Sequence, residues 1–185
     1  MYNSDNAQKY VIIRSAGLGL NGLNPAFFEI VNRRRDGKIM RWIDGKQIDI
    51  KQFTGETLCE KLAAELWDVD CGQWQKCADF IQVAAFLIVF DTELTMEGIF
   101  GFLENSIGHY ASDIIKAFRA IGDCGDADTL EEICRLASPD VKMTEEVEAK
   151  IQKLNRKLYL NSGFDIWSLL FSYLDEKMEK MKDEG

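Results

Sequence analysis

Histidine, proline and paired cysteines are what this chain has least of. Of 185 residues, one is His and two are Pro, and no C-x-x-C pair occurs. The lone His109 excludes a three-histidine zinc centre, and the close-spaced Cys/His pairs of other zinc sites are missing as well. The cysteines, at 59, 71, 77, 124 and 134, are odd in number and too sparse for a disulfide scaffold. Cys59, Cys77 and Cys134 fall among apolar helical positions and read as small buried hydrophobes. The longest apolar run, Val83–Phe90, is eight residues, whereas a bilayer-spanning helix needs roughly 20. The start, Met1-Tyr2-Asn3-Ser4-Asp5, lacks a basic segment followed by an apolar one, so no secretory signal is read and a cytoplasmic location is expected.

Basic charge is also scarce, and unevenly so. The net charge is −9. Residues 1–57 hold nine Lys/Arg against six Asp/Glu, while residues 58–148 hold six against nineteen. Such a region repels nucleic acid and suits a basic protein partner or plain solubility. Hydrophobic residues, at 46%, are enough for a real core.

Two units are expected, a small β-rich extension over 1–54 and a helical domain over 55–185. In the first, Tyr10–Arg14 is β-prone, and the pairs Asp36-Gly37 and Asp44-Gly45 suit tight hairpin turns. The segments Phe27–Arg34, Lys38–Ile43 and Gln47–Phe53 then read as an antiparallel meander. A rival reading opens a helix at Asn24-Pro25 and stops it at Gly37. Beyond Gly55 the period becomes helical, giving about six to seven helices. Leu58, Leu62 and Leu66 mark the first, and Trp74–Leu94 reads as the central buried one. Gly98–Ser106 is a shorter piece, and Asp113–Ile121 stops at Gly122. Asp128 with Glu131 resembles a capping box for the next helix, which Pro139 breaks. Thr144 caps a helix with the stripe Val147, Ile151, Leu154 and Leu158. The last runs from Asp165 to Met181, with Lys177–Gly185 expected to fray. The fold class is thus mainly α with a small N-terminal hairpin or meander.

Candidate chemistry is thin. Gly17-Leu-Gly19-Leu-Asn-Gly22 matches the dinucleotide pattern, but Pro25 falls where its helix should be in the second turn. No cofactor is expected. Arg33-Arg34-Arg35 is too short a run to argue nucleic-acid binding, and could dock on the chain's own acidic half. No G-x-S-x-G elbow marks a nucleophile. The acidic residues Asp123, Asp126, Asp128, Glu131 and Glu132, and then Glu145, Glu146 and Glu148, have the wrong spacing for a calcium loop, so no metal is expected. Acidic side chains favour helix starts, which explains part of each cluster.

One stretch resembles a known signature. Met96-Glu-Gly98-Ile-Phe-Gly-Phe102-Leu-Glu-Asn105-Ser106-Ile-Gly108-His-Tyr110-Ala111 is similar to the N-G-G-F-x-Q-Y-F-x-N-x-x-G-x-Y-A element of the DNA mimic protein 19 family, a bacterial family of domains of unknown function. Ala117–Gly122 and the stretch from Leu158-Tyr159 to Leu174 agree in order and spacing, so the resemblance covers roughly residues 75–180. Met96 and Glu97 stand where the family often has Asn-Gly, and Gly101 where it often has Gln. The resemblance implies a helical fold and a protein-interaction role; the founding member copies the charge of DNA and binds a transcription factor. Read from the residues alone, the motif is structural. Gly98 lets two helices approach, Phe102 packs, Asn105 caps or bridges backbone, and Gly108 supplies a positive-φ turn.

The leading expectation is a non-enzymatic acidic interaction module. Its face would include Asp126, Asp128, Glu131, Glu132, Glu145 and Glu146, and its partner would be a DNA-binding regulator, a toxin or another basic protein. A hydrolase or transferase using His109 with Ser106 or Glu104, an immunity-type inhibitor, and a homodimer stay open.

Overall fold

Asp44-Gly45 is where the described chain first folds back on itself. The computed structural model describes residues 39–69, 71–74 and 76–183. The readings of Tyr10–Arg14, Gly17–Gly22, Phe27–Arg34 and its rival helix, and Arg33–Arg35 lie outside those residues. Strands β1 (Ile39–Arg41) and β2 (Gln47–Asp49) pair antiparallel, Met40 opposite Ile48. Gly45 takes φ +84°, and the Asp44 carboxylate accepts the Lys46 N–H at 2.9 Å and its ammonium at 2.7 Å. The second strand is shorter than its alternation suggests. Asp49 accepts the Lys51 N–H, turning Ile50–Gln52 into a 3-10 turn that drives Ile50 into the core. Met40, Trp42, Ile43 and Ile50 all join the core that the helices build.

The helical part has seven longer helices among the described residues, plus two of four residues. They are α1 (Gly55–Glu65), the short α2 (Cys71–Trp74), α3 (Asp79–Met96), α4 (Gly98–Glu104), α5 (Ala111–Ala120), α6 (Cys124–Leu136), α7 (Glu145–Asn155), the short α8 (Tyr159–Ser162) and α9 (Ile166–Asp183). Thr54 caps α1 in a reciprocal box with Thr57, and Thr144 caps α7 as expected. The central helix does not run unbroken from Trp74. Ala78 is extended (ψ 145°), the chain turns at Lys76 and Cys77, and α3 restarts at Asp79. The freed Cys77 carbonyl accepts the Gln82 amide at 2.9 Å. Leu158 is not on α7 but buried at the start of α8. Nor does the last helix fray at Lys177: it continues to Asp183, because Met178, at 1% exposure, anchors its final turns.

Phe90, on α3, centres the core. Its ring stands edge-on to Phe102 of α4 at 4.9 Å and to Phe118 of α5 at 5.6 Å, and Tyr159 of α8 lies against both Phe90 and Phe118. Four helices therefore converge on one aromatic cluster, every ring contributing area burial and the three phenylalanines favourable edge-to-face contacts as well.

The α5–α6 corner is tight. Gly122, at φ +89°, ends α5 with the Asp123 N–H bonded to the Phe118 carbonyl and its own N–H to that of Arg119, a Schellman closure. Asp123 then caps the next helix with its side chain, accepting the Asp126 N–H at 3.1 Å. This overturns the capping box expected at Asp128 and Glu131, which lie inside α6. Both registers match the pattern in sequence, and the Gly122 stop selects the earlier one.

Candidate partner-binding face

Helix α6 turns Ala127, Leu130 and Ile133 inward and leaves Asp128 and Glu131 exposed, with Glu132 half-buried beside them. Arg119, from the end of α5, reaches across to both Asp128 (3.1 Å) and Glu131 (2.7 Å). Arg135 grips Glu132 through two hydrogen bonds of 2.7 and 2.6 Å, which hold that carboxyl below its ordinary range. Helix α7 packs on α6 and opens with three exposed carboxylates. Glu146 pairs with Lys150 at 2.9 Å, while Glu145 and Glu148 form no ion pair among the described residues.

Asp126 does not belong with them. It is 5% exposed and turned inward, both carboxyl oxygens accepting the Tyr159 N–H at 3.1 Å. Asp126 is thus a buried clamp on the α7–α8 junction and not part of the acidic surface. A cavity of about 410 Å³, open to solvent, is lined by Asp123, Asp126, Thr129, Lys157, Ser162 and Phe164 among others. The sequence reading missed Asp91, whose Oδ1 accepts the Tyr159 hydroxyl at 2.8 Å. Its one signal is that it interrupts the apolar run of α3 at the end of Val83–Phe90.

The Gly98–Ala111 element carries structure. Phe102 is fully buried. Gly98 and Gly108 exchange the roles expected of them. Gly98 is the residue with positive φ (+69°), and a Cβ there would meet nothing within 4 Å. Gly108 is the close approach: a Cβ there would lie 2.7 Å from the Phe102 carbonyl oxygen. Asn105 makes no cap; its amide donates to Glu93 at 2.8 Å, tying α3 to the end of α4.

His109 sits exposed on the 3-10 turn Ser106–Tyr110, with Ser106 and Glu104 also exposed and away from the cavity lining. Among the described residues it makes no hydrogen bond to a carboxylate, so no oriented base is built around it. No group of three or more His, Cys, Asp or Glu among the described residues is placed to hold a metal ion, and no described helix is long and apolar enough to cross a membrane. Cys59 and Cys77 are buried thiols, and burial pushes Cys59 up to about 12, far from a reactive thiolate. Cys134 is half-buried, and Cys124 is exposed.

The family model of DMP19-like protein matches residues 75–182, from just before α3 to the end of α9. The chain belongs to that family. The aromatic cluster, the Gly98–Ala111 element and both acidic helices all lie inside the DMP19-like match, whereas the hairpin and α1 lie outside it. DMP19-like protein is not a known enzyme family. No curated protein and no solved structure matches the chain.

Proposed function

We propose that this chain is a non-enzymatic binder of a basic protein, using the acidic surface of α6 and the first turn of α7. The family resemblance favours a DNA-binding regulator as the class of partner. One observation carries the reading. On two packed helices, Asp128, Glu131, Glu132, Glu145, Glu146 and Glu148 stand outward, and among the described residues ion pairs set only Arg119, Arg135 and Lys150 against them. Those pairs are solvent-exposed, and exposed pairs contribute little to stability. A partner's arginines and lysines can therefore replace the internal cations at small cost, while the excess negative charge speeds encounter. The same charge repels nucleic acid itself.

The test is capture of partners from the source cells, followed by association kinetics with the captured protein. Binding should weaken steeply as salt rises, because the Debye length shrinks from about 10 Å at 0.1 M to about 3 Å at 1 M. The triple variant Asp128→Asn, Glu131→Gln, Glu132→Gln should slow association more than it speeds dissociation. Asp126 is left intact because it is buried and lies off the acidic surface. Retention of the same partner at both salt concentrations and by the triple variant would sink the proposal.

A further inference from the structure

Among the described residues, three carboxyl groups and one tyrosine form a chain through the interior with no ion pair to a cation. Asp91 on α3 accepts the Tyr159 hydroxyl, and the Tyr159 N–H lies between the two oxygens of Asp126. The Asp126 N–H donates to Oδ1 of Asp123 at 3.1 Å, so the two buried carboxyl groups are neighbours at the start of α6. Asp123 and Asp126 are 8% and 5% exposed, and Oδ2 of Asp123 is buried without a partner. Among the described residues, no Lys or Arg forms an ion pair with Asp123 or Asp126. Arg119 from α5 is committed to Asp128 and Glu131, and Lys157, before α8, lines the same cavity but pairs with neither carboxyl group. From α3 only Asp91 reaches the network, through Tyr159, and it is a third acid. On α6 itself Thr129 lines the cavity, and Cys124 is exposed.

Two adjacent buried negative charges without a cation are strongly disfavoured. One proton shared between them removes a charge and supplies a donor beside the unpartnered Oδ2 of Asp123. The geometry points to Asp123 and Asp126 as a proton-sharing carboxyl pair that clasps the start of α6 to the α7–α8 junction and loosens when the proton leaves. Burial is the first cause that lifts Asp126, the neighbouring Asp123 the second, and the Tyr159 N–H opposes them; together they bring it to about 7. Burial likewise raises Asp91, against the pull of the Tyr159 hydroxyl.

The sign of the pH dependence follows. The folded chain holds this proton more tightly than the unfolded chain, so its stabilising effect is complete below the ordinary value of 3.8 and declines as pH rises to about 7. Above that both states have released it. Once charged, Asp126 keeps the Tyr159 N–H, which favours a carboxylate. Asp123 is held by one hydrogen bond and turns toward the cavity and Lys157, uncapping α6. That helix presents Asp128, Glu131 and Glu132, so the proton governs how firmly the acidic surface is held.

The experiment is a carboxyl-carbon NMR titration of the whole chain, with amide exchange and denaturant unfolding across pH on the native chain and Asp126→Asn. In the variant the amide nitrogen can donate to Oδ2 of Asp123 while the amide oxygen accepts the Tyr159 N–H. One carboxyl carbon of the pair should titrate near neutrality. The unfolding constant should carry a component rising up to about tenfold per pH unit between 3.8 and about 7. Asp126→Asn should remove that component and keep the position-126 amide protected above neutral pH. Both carbons titrating below about pH 5, in the ordinary range of aspartate, would overturn the proposal. So would an unchanged pH slope in the variant. Should Asp126→Asn not fold, the native titration decides alone.

Discussion

One methyl group at position 101 should destabilise this protein, and removing the side chain at position 97 should cancel the effect. Gly98 takes φ +69°, and this reversal lays the Cβ of Glu97 over Gly101. A Cβ on residue 101 would come well inside 3.0 Å of the Glu97 Cβ, where real carbon pairs are essentially never found. Both atoms are fixed to the backbone, so no rotamer change relieves the clash and the chain itself must move. Overpacking of this kind costs about 1–3 kcal/mol. Gly101→Ala also gains up to about 1 kcal/mol of helix propensity, and Glu97→Gly loses about 0.5–1 kcal/mol to backbone freedom. Each single change therefore mixes opposing terms, and the double-mutant cycle isolates the contact. Urea unfolding of the native chain, Gly101→Ala, Glu97→Gly and the double variant should give a coupling of about 1–3 kcal/mol, the double variant being more stable than the sum predicts. A coupling below about 0.5 kcal/mol would refute the reasoning.

The remaining expectations concern the same core and surface. Phe102→Ala should cost about 3–5 kcal/mol in denaturant unfolding, since the ring is fully buried against Phe90; a loss below about 1 kcal/mol would show that the aromatic cluster is not the core's centre. Gly98→Asn should be tolerated better than Gly98→Ala, because Asn accepts left-handed φ, whereas at Gly108 Asn should be no better than Ala, the obstacle there being the Phe102 carbonyl; thermal melts of the four variants check the contrast. Arg119→Met should leave the unfolding midpoint nearly unchanged while quickening association with a basic partner, because it uncovers Asp128 and Glu131; slower association would count against the acidic surface as the docking site.

Much of the architecture was legible because it rests on local signals. Asp44-Gly45 specified a hairpin, Gly122 a helix end and Thr144 a helix start, each through chemistry confined to a few residues. What escaped was decided by distant partners. Asp123 and Asp128 both match an N-cap in sequence, and only the Gly122 closure and the Tyr159 N–H choose between registers. Asp126 reads as surface charge until α8 is seen to lie over it. Gly98 and Gly108 are interchangeable on paper, and the position of the Phe102 carbonyl distinguishes them. The outward acids of α6 and α7 were named from composition, but the cations that pair with Asp128, Glu131 and Glu132 come from packing and local geometry that composition does not describe.

Helix α1 shows that shared ancestry and cooperative melting have different edges. Gly55 lies beneath the Phe171 carbonyl of α9 with no room for a Cβ, and its N–H donates to Asp175 at 2.6 Å. Trp42, from the hairpin, is 1% exposed and donates its indole N–H to Glu65. A fragment cut at the family boundary would lose the hairpin and α1 together. The α9 surface they cover would then face water, and Asp175 would lose the N–H it accepts. Segments recognisable across relatives thus need not be segments that fold alone. Here a chain beginning at β1 is expected to unfold in one cooperative step, and a chain beginning at residue 75 to melt lower; urea unfolding of the two checks it.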